Sequence, residues 1–133
     1  MFLFMETFAI FAVLYSKSME AKVKFKVVYS SVAHEFLQKL DPKTRDKIIY
    51  NIRKSSYVVD PKLFKKIEGS DLWEFRTLFD GKQYRILAFW DNADRLNTLV
   101  IATHGFIKKT AKTPLKEIER ASEIMKMYFE HKS

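Results

Sequence analysis

The chain has 133 residues, 47% of them apolar, which favours a single domain with one hydrophobic core. It contains no cysteine, so disulfides and thiolate metal sites are excluded and the cytoplasm is the expected location. Its three histidines are far apart in the sequence, and we expect no metal site. The net charge of +8 favours a polyanionic partner such as RNA, DNA or an acidic protein, the alternative being a protein that is basic without such a partner.

The N-terminal segment differs from the rest of the chain. Residues 1–15, MFLFMETFAIFAVLY, are almost entirely apolar. They fall short of the roughly 20 apolar residues that a membrane-spanning helix needs, and no lysine or arginine precedes them as in a signal peptide. We therefore interpret residues 1–18 as an appendage upstream of a true start at Met19. We expect one domain over residues 19–133 and no stable membrane association.

The first half of the domain predicts a strand and two helices. Residues 23–29 alternate lysine with apolar side chains, as a half-buried strand does. Ser30 is suited to cap a first helix, and Asp41-Pro42 supplies an N-cap and a first-turn proline for a second. Each helix then has an apolar face, formed by Ala33, Phe36, Leu37 and Leu40 in the first and by Ile48, Ile49 and Ile52 in the second.

The second half predicts a connector over residues 58–71, three strands and a helix. Strands over residues 72–79 and 84–90 flank Asp80-Gly81, a strong hairpin signal, and a third strand covers residues 96–103. Thr113-Pro114 then begins a terminal helix, and this element order is that of an α+β protein. The buried stripe of the last helix is predicted to contain Leu115, Ile118, Ala121, Met125 and Tyr128.

The first hairpin brings two arginines together. A two-residue turn at Asp80-Gly81 places Arg76 opposite Arg85, and a four-residue loop keeps them diagonal neighbours on the same face. Two like charges so close destabilise a sheet by up to ~1 kcal/mol. One interpretation is that an anion binds between them, and the other is that Glu74, on the same face, neutralises one of them.

The third strand adds a histidine and several lysines. An antiparallel strand that ends where its partner begins places His104 near Lys82 and Arg85, with Lys108 and Lys109 directly after it. Neighbouring cations lower a histidine pKa below about 6.5, which leaves a neutral imidazole that accepts a proton. A histidine on a strand is more often a hydrogen-bonded structural residue. The segment 104–114, HGFIKKTAKTP, is therefore interpreted as a phosphate-binding rim with a titratable group.

Three segments carry a resemblance to a known family. Residues 66–76 (KIEGSDLWEFR), 84–87 (YRIL) and 104–114 resemble the phage-derived branch of the RelE/HigB toxins, within a similarity over roughly residues 25–131. The resemblance implies a helical hairpin packed on a small twisted antiparallel sheet with a C-terminal helix. It also implies the toxin of a type II toxin–antitoxin pair, with a cognate antitoxin, expected to be a helix-turn-helix protein, and mRNA on the ribosome as partners.

The same resemblance implies a chemistry and its residues. Such toxins cleave mRNA without a metal or other cofactor, by attack of a ribose 2′-hydroxyl on the adjacent phosphate. By position, Arg76 and Arg85 match the basic residues that hold the scissile phosphate, while His104, Lys108 and Lys109 match strand-end catalytic residues. Contacts to RNA are expected from Lys65, Lys66, Lys82, Phe106 and Lys112.

Each of these interpretations has an alternative. An aromatic residue after a strand, such as Phe106, is more often part of the core, and Lys65 and Lys66 equally fit a solvated loop. At the level of function, the alternatives are a ParE-like poison of DNA gyrase, against which the motif at residues 104–114 argues, and a non-catalytic nucleic-acid-binding module that uses the same cations as phosphate anchors.

Overall fold

The computed structural model describes residues 23–92 and 98–132. The predicted appendage at residues 1–18 and the start at Met19 lie outside the described residues, as do residues 93–97, which include the first two residues of the third predicted strand. Within the described part, the chain forms strand β1 (Lys26–Tyr29), helices α1 (Ser31–Gln38) and α2 (Pro42–Ser55), strands β2 (Phe64–Lys66), β3 (Trp73–Phe79), β4 (Lys82–Asp91) and β5 (Leu99–Lys108), and helix α3 (Leu115–Lys132). The predicted α+β class is confirmed.

Both helices of the hairpin begin with the predicted caps. The Ser30 hydroxyl oxygen accepts a hydrogen bond from the Ala33 backbone N–H at 3.1 Å. At the start of α2, an Asp41 carboxylate oxygen accepts from the Thr44 N–H at 3.2 Å, and Pro42 occupies the first helical position. Such caps satisfy backbone donors that have no partner inside the helix. Local sequence signals therefore set where both helices start.

The five strands form one mixed sheet in the order β1-β5-β4-β3-β2. Strands β2 to β5 are antiparallel, whereas β1 lies parallel to β5, which differs from the antiparallel sheet that was expected. The difference arises because the helical hairpin carries the chain from β1 at one edge of the sheet to β2 at the other. Strand β2 lies inside the predicted connector, and its three residues are too few to show an alternating pattern.

Each face of the sheet packs against helices. One core joins α1 and α2 to the sheet and includes Leu37, Ile52 and Ile86. The other joins α3 to the opposite face, where Ala121 and Tyr128 are buried as predicted and Ile118 and Met125 are partly buried.

The predicted stripe is wrong at the first residue of α3. Leu115 is 69% exposed. Near this end of the helix, Thr113 connects the chain to the sheet instead, because its hydroxyl donates to a carboxylate oxygen of Glu74 at 2.7 Å.

Strand β5 contains a β-bulge that was not predicted. His104 pairs with Leu87 but Ala102 pairs with Ala88, so Thr103 is an extra residue. Its hydroxyl donates to the Leu87 carbonyl at 3.1 Å, and its own carbonyl accepts from the Ser30 hydroxyl at 2.6 Å. One inserted residue exchanges the two faces of the strand beyond it.

The bulge determines which side chains face α3. Beyond it, His104, Phe106 and Lys108 face α3, while Gly105 faces α1. A Cβ atom at Gly105 would overlap the ring of Phe36, so only glycine allows α1 to approach β5 this closely. The predicted end of this strand, residue 103, is also wrong, because the strand continues to Lys108.

Candidate functional site

Three rows of side chains cross the sheet on the face toward α3. Residues paired directly across antiparallel strands have their side chains on the same face, so the register defines the rows. Each row has one residue from β3, one from β4 and one from β5, given in that order. The row nearest the core is Glu74, Leu87 and His104, and the middle row is Arg76, Arg85 and Phe106. The outer row, nearest the Asp80-Gly81 turn, is Leu78, Gln83 and Lys108.

The turn between β3 and β4 fixes the arginine pair. Asp80 and Gly81 both have positive φ, 53° and 75°, as a two-residue type I′ turn requires. This turn places Phe79 opposite Lys82 and therefore Arg76 opposite Arg85, as predicted. The pair is thus a direct consequence of the local sequence.

Glu74 lies beside both arginines. Its carboxylate oxygens are 3.5 Å from Nε of Arg76 and 3.8 Å from Nε of Arg85. Neither Nε forms a hydrogen bond with any part of the chain that the structure describes. Both sequence-based interpretations therefore hold in part: a carboxylate lies next to the pair, but it is one anion facing two guanidinium groups.

Arg85 is held within the surface of the sheet, with only 2% of the residue exposed. Its Nη1 donates to the Tyr84 carbonyl at 3.1 Å, and its Nη2 donates to Oε1 of Gln83 at 2.7 Å. Burial lowers the pKa of Arg85, and Arg76 adds to this effect, whereas Glu74 opposes it. A guanidinium remains charged at any physiological pH, so this site presents a desolvated cation whose orientation is fixed.

Most of the predicted lysines line one groove together with Arg76. The groove has a volume of about 430 Å³ and runs between β2, the segment after β5 and Ile118 of α3. Burial lowers the pKa of Lys108, and the nearby charges of Arg85, Arg76 and Lys65 lower it further, while Glu74 raises it. The groove therefore concentrates positive charge around the buried carboxylate of Glu74, and the exposed carboxylate of Glu68 also belongs to its lining. Its cationic lining consists of Lys65, Lys66, Arg76, Lys108 and Lys112.

Two predicted residues lie apart from the groove. Lys82 is paired with Phe79, which puts it on the face of the sheet opposite to Arg85. Lys109 follows the last residue of β5, is exposed, and is not among the residues that line the groove.

His104 is not at the end of the strand among the cations, and this part of the sequence interpretation is wrong. It lies within β5, opposite Leu87, and is 0% exposed. Its Nε2 is 3.0 Å from a carboxylate oxygen of Glu117 in α3, and its Nδ1 is 3.2 Å from the Thr103 hydroxyl. Because a carboxylate accepts, the hydrogen of the neutral ring lies on Nε2, and Nδ1 then competes with the Leu87 carbonyl for the single hydrogen of the Thr103 hydroxyl.

The pKa of His104 is lowered, which is the predicted direction, but the cause is different. Burial is the largest effect, and the hydrogen bond to Glu117 opposes it, while the charge of Arg120 lowers the pKa further. The ring of Phe106 stacks on the imidazole, with 5.9 Å between the ring centroids. Phe106 is also packed against the core that joins α3 to the sheet, which agrees with the alternative that this aromatic residue belongs to the core. His104 thus connects β5 to α3 and is closed off from solvent.

Sequence reasoning did not single out several residues of this site. Glu117 and Thr113 connect α3 and the segment before it to the sheet, and their partners lie 13 and 39 residues away in the sequence. No local pattern indicates such contacts. The sequence did contain a signal for Gln83. It lies two positions before Arg85 on a strand, and residues two positions apart on a strand have their side chains on the same face.

In residues 23–92 and 98–132, no group of three or more histidine, aspartate or glutamate side chains is suited to hold a metal ion. None of the helices in this part of the chain is both long and apolar enough to cross a membrane.

Comparison with known proteins assigns the chain to a family. No curated protein matches it. The family model "Phage derived protein Gp49-like (DUF891)" matches residues 35–126, which is more than half of the chain and contains all three rows of the candidate site. The protein therefore belongs to the Gp49-like family of phage-derived proteins, which is a family of RelE-like toxins.

Proposed function

We propose that the protein is the toxin of a type II toxin–antitoxin pair and that it cleaves mRNA on the ribosome, in the cytoplasm, without a metal. The observation that supports this most is the arginine pair. Arg76 and Arg85 lie side by side on one face, Arg76 lines a groove with four lysines, and the buried carboxylate of Glu74 lies beside both arginines. A phosphate has enough oxygen atoms to accept hydrogen bonds from two guanidinium groups, so this arrangement suits a phosphate.

In the proposed reaction, the ribose 2′-hydroxyl attacks the adjacent phosphorus. A bond forms between O2′ and phosphorus, the bond from phosphorus to O5′ breaks, and the products have a 2′,3′-cyclic phosphate and a 5′-hydroxyl. Negative charge grows on the non-bridging oxygens in the transition state. Arg85 uses one N–H for the Tyr84 carbonyl and one for Gln83, which leaves further donors for these oxygens.

Two protons must move during this reaction. The 2′-hydroxyl releases one to solvent, and O5′ gains one when it leaves. We assign the second transfer to Lys108, because its partly buried ammonium group lies beside the arginines and its pKa is lowered by burial and by their charge. A lowered pKa makes an ammonium group a better proton donor near neutral pH.

The other expected residues have separate parts in the proposal. Lys65, Lys66 and Lys112 line the groove and would contact backbone phosphates on either side of the cut. His104 is a positioning residue, because its buried hydrogen bond to Glu117 holds α3 against the sheet. We assign Lys82 and Lys109 no part in the cleavage step.

A toxin of this kind requires an antitoxin. The cationic groove favours an acidic partner that covers it or wedges beside α3, and long-range attraction would make their association fast and sensitive to salt. As in the sequence analysis, we expect this partner to be a helix-turn-helix protein.

The test is cleavage of mRNA bound to purified ribosomes. We expect wild-type protein to cut the mRNA and to leave 5′-hydroxyl ends. Arg85→Ala should reduce the single-turnover rate by at least about 10²-fold, the usual effect of removing a transition-state donor. Lys47→Ala is the matched control, since it removes one positive charge from the exposed side of α2.

Each alternative function has its own result in this test. RNA that is bound but never cut would indicate a non-catalytic nucleic-acid-binding module. Growth arrest with intact mRNA and with DNA breaks trapped on gyrase would indicate a ParE-like poison. Either result would contradict the proposed nuclease.

A further inference from the structure

A second hollow lies beside the arginine pair. It has a volume of about 280 Å³, and its lining includes Arg76, Arg85, Leu78, Gln83 and Lys62. It adjoins the outer row of the site, near the Asp80-Gly81 turn, where Leu78 and Gln83 are directly paired across β3 and β4. Arg76 therefore lines both the lysine-rich groove and this hollow, whereas Arg85 lines this hollow and not the groove.

The amide of Gln83 has a defined orientation. Its Oε1 lies 2.7 Å from Nη2 of Arg85. A guanidinium group can only donate hydrogen bonds, so the atom facing it must be the amide oxygen and not the nitrogen. The NH₂ group of Gln83 therefore points away from Arg85, at an exposed position beside the hollow. What Gln83 offers to a ligand is a pair of N–H donors.

The surface opposite the amide is apolar. Leu78 is 66% exposed although it is a large hydrophobic side chain on a strand. An exposed apolar side chain next to fixed polar groups suits a flat ligand, such as a base, that has an apolar face and a polar edge. Lys62 supplies a positive charge at the same hollow.

We propose that this hollow binds the nucleobase next to the scissile phosphate and that Gln83 selects guanine there. The inference rests on the proposed function, since it takes the arginine pair as the phosphate site. A free glutamine recognises adenine with both atoms of its amide, accepting from N6 and donating to N7. Because the bond from Arg85 holds the amide oxygen toward the guanidinium group, the part of Gln83 that faces a base is its NH₂ group, and its two donors match the two acceptors O6 and N7 of guanine.

The inference is tested by binding, with cleavage blocked. The probes are fluorescent five-nucleotide RNAs with 2′-fluoro sugars, in which four uridines flank one variable central base. We expect central guanine to bind about tenfold more tightly than central adenine, in the lower part of the range for paired base contacts. Inosine, which keeps O6 and N7, should bind like guanine, whereas 7-deazaguanine, which lacks N7, should bind more weakly.

Three variants test whether the side chain of Gln83 causes the preference for guanine over adenine. Gln83→Ala should bring guanine down to the affinity of adenine while adenine binding stays unchanged. Gln83→Glu, which has no donor, should also abolish the preference. Gln38→Ala, an exposed glutamine at the end of α1, is the matched control and should keep the full preference.

The outcomes separate this inference from the proposed function. Equal binding of guanine and adenine, a preference for cytosine, a preference that survives in Gln83→Ala, or no binding of any probe would overturn the base site. Cleavage of ribosome-bound mRNA would then still support the nuclease. Conversely, a guanine preference that depends on Gln83 in a protein that cuts no mRNA would support the base site and refute the nuclease.

Discussion

Acidification is expected to destabilise the protein through His104. In the folded state the buried imidazole has a pKa below 6.5, because burial outweighs the hydrogen bond to Glu117. In the unfolded state the ring is solvated and has the ordinary pKa of about 6.5. The unfolded chain therefore binds a proton that the folded chain does not bind, and the free energy of unfolding falls as the pH falls below about 6.5.

The size of the effect follows from the one proton involved. Linkage of a single proton changes the free energy of unfolding by at most ~1.4 kcal/mol per pH unit. Between pH 7.5 and 5.5, His104 therefore contributes a loss of up to about 1.4 kcal/mol, most of it below pH 6.5. For a domain of this size, such a loss lowers the melting temperature by roughly 3 to 8 °C.

The assay is urea unfolding at pH 7.5, 6.5 and 5.5. We expect His104→Gln to be less stable than wild type at pH 7.5, because a buried polar contact is disturbed, but to lose less stability on acidification. His131→Gln, at an exposed histidine near the end of α3, should follow wild type. Identical pH dependence of wild type and His104→Gln would refute the reasoning. A wild-type protein that gains stability relative to His104→Gln at low pH would show that the ion pair with Glu117 dominates instead.

Three further predictions concern the site, the core and the N-terminus. Arg85→Lys keeps the charge beside Glu74 but loses the fork of donors, so the cleavage rate should fall at least about tenfold with the melting temperature preserved, and an unchanged rate would contradict the assigned role. Gly105→Ala should destabilise the protein by about 1–3 kcal/mol in urea unfolding, because its Cβ overlaps the Phe36 ring, and an unchanged midpoint would contradict the packing. A chain that starts at Met19 should keep a cooperative thermal transition, and loss of that transition would show that the apolar segment belongs to the core.

The features predicted correctly from the sequence are those that short segments determine. The caps of α1 and α2 depend on residues three positions apart. The pairing of Arg76 with Arg85 depends on the turn at Asp80-Gly81, which separates two residues only nine positions apart. Such signals act in any context, so they were visible without the fold.

The features that were missed depend on distant contacts. The bulge at Thr103 is stabilised by Ser30, 73 residues away, and it changes which face each later side chain occupies. The position of His104 follows from this bulge and from Glu117 on another element. Strand β2 exists because Phe64 pairs with Phe75, although its own three residues show no strand pattern.

The central claim is that the ribose 2′-hydroxyl of the mRNA is the nucleophile at the arginine pair. The direct measurement uses ribosomes programmed with two mRNAs that differ only in one 2′-deoxy nucleotide, placed immediately before the cleavage position mapped on the all-ribose mRNA. We predict that the all-ribose mRNA is cut with a 5′-hydroxyl end and that the 2′-deoxy mRNA stays intact, although it competes equally for the protein. Cleavage of both mRNAs at the same rate, or of neither, would contradict the account.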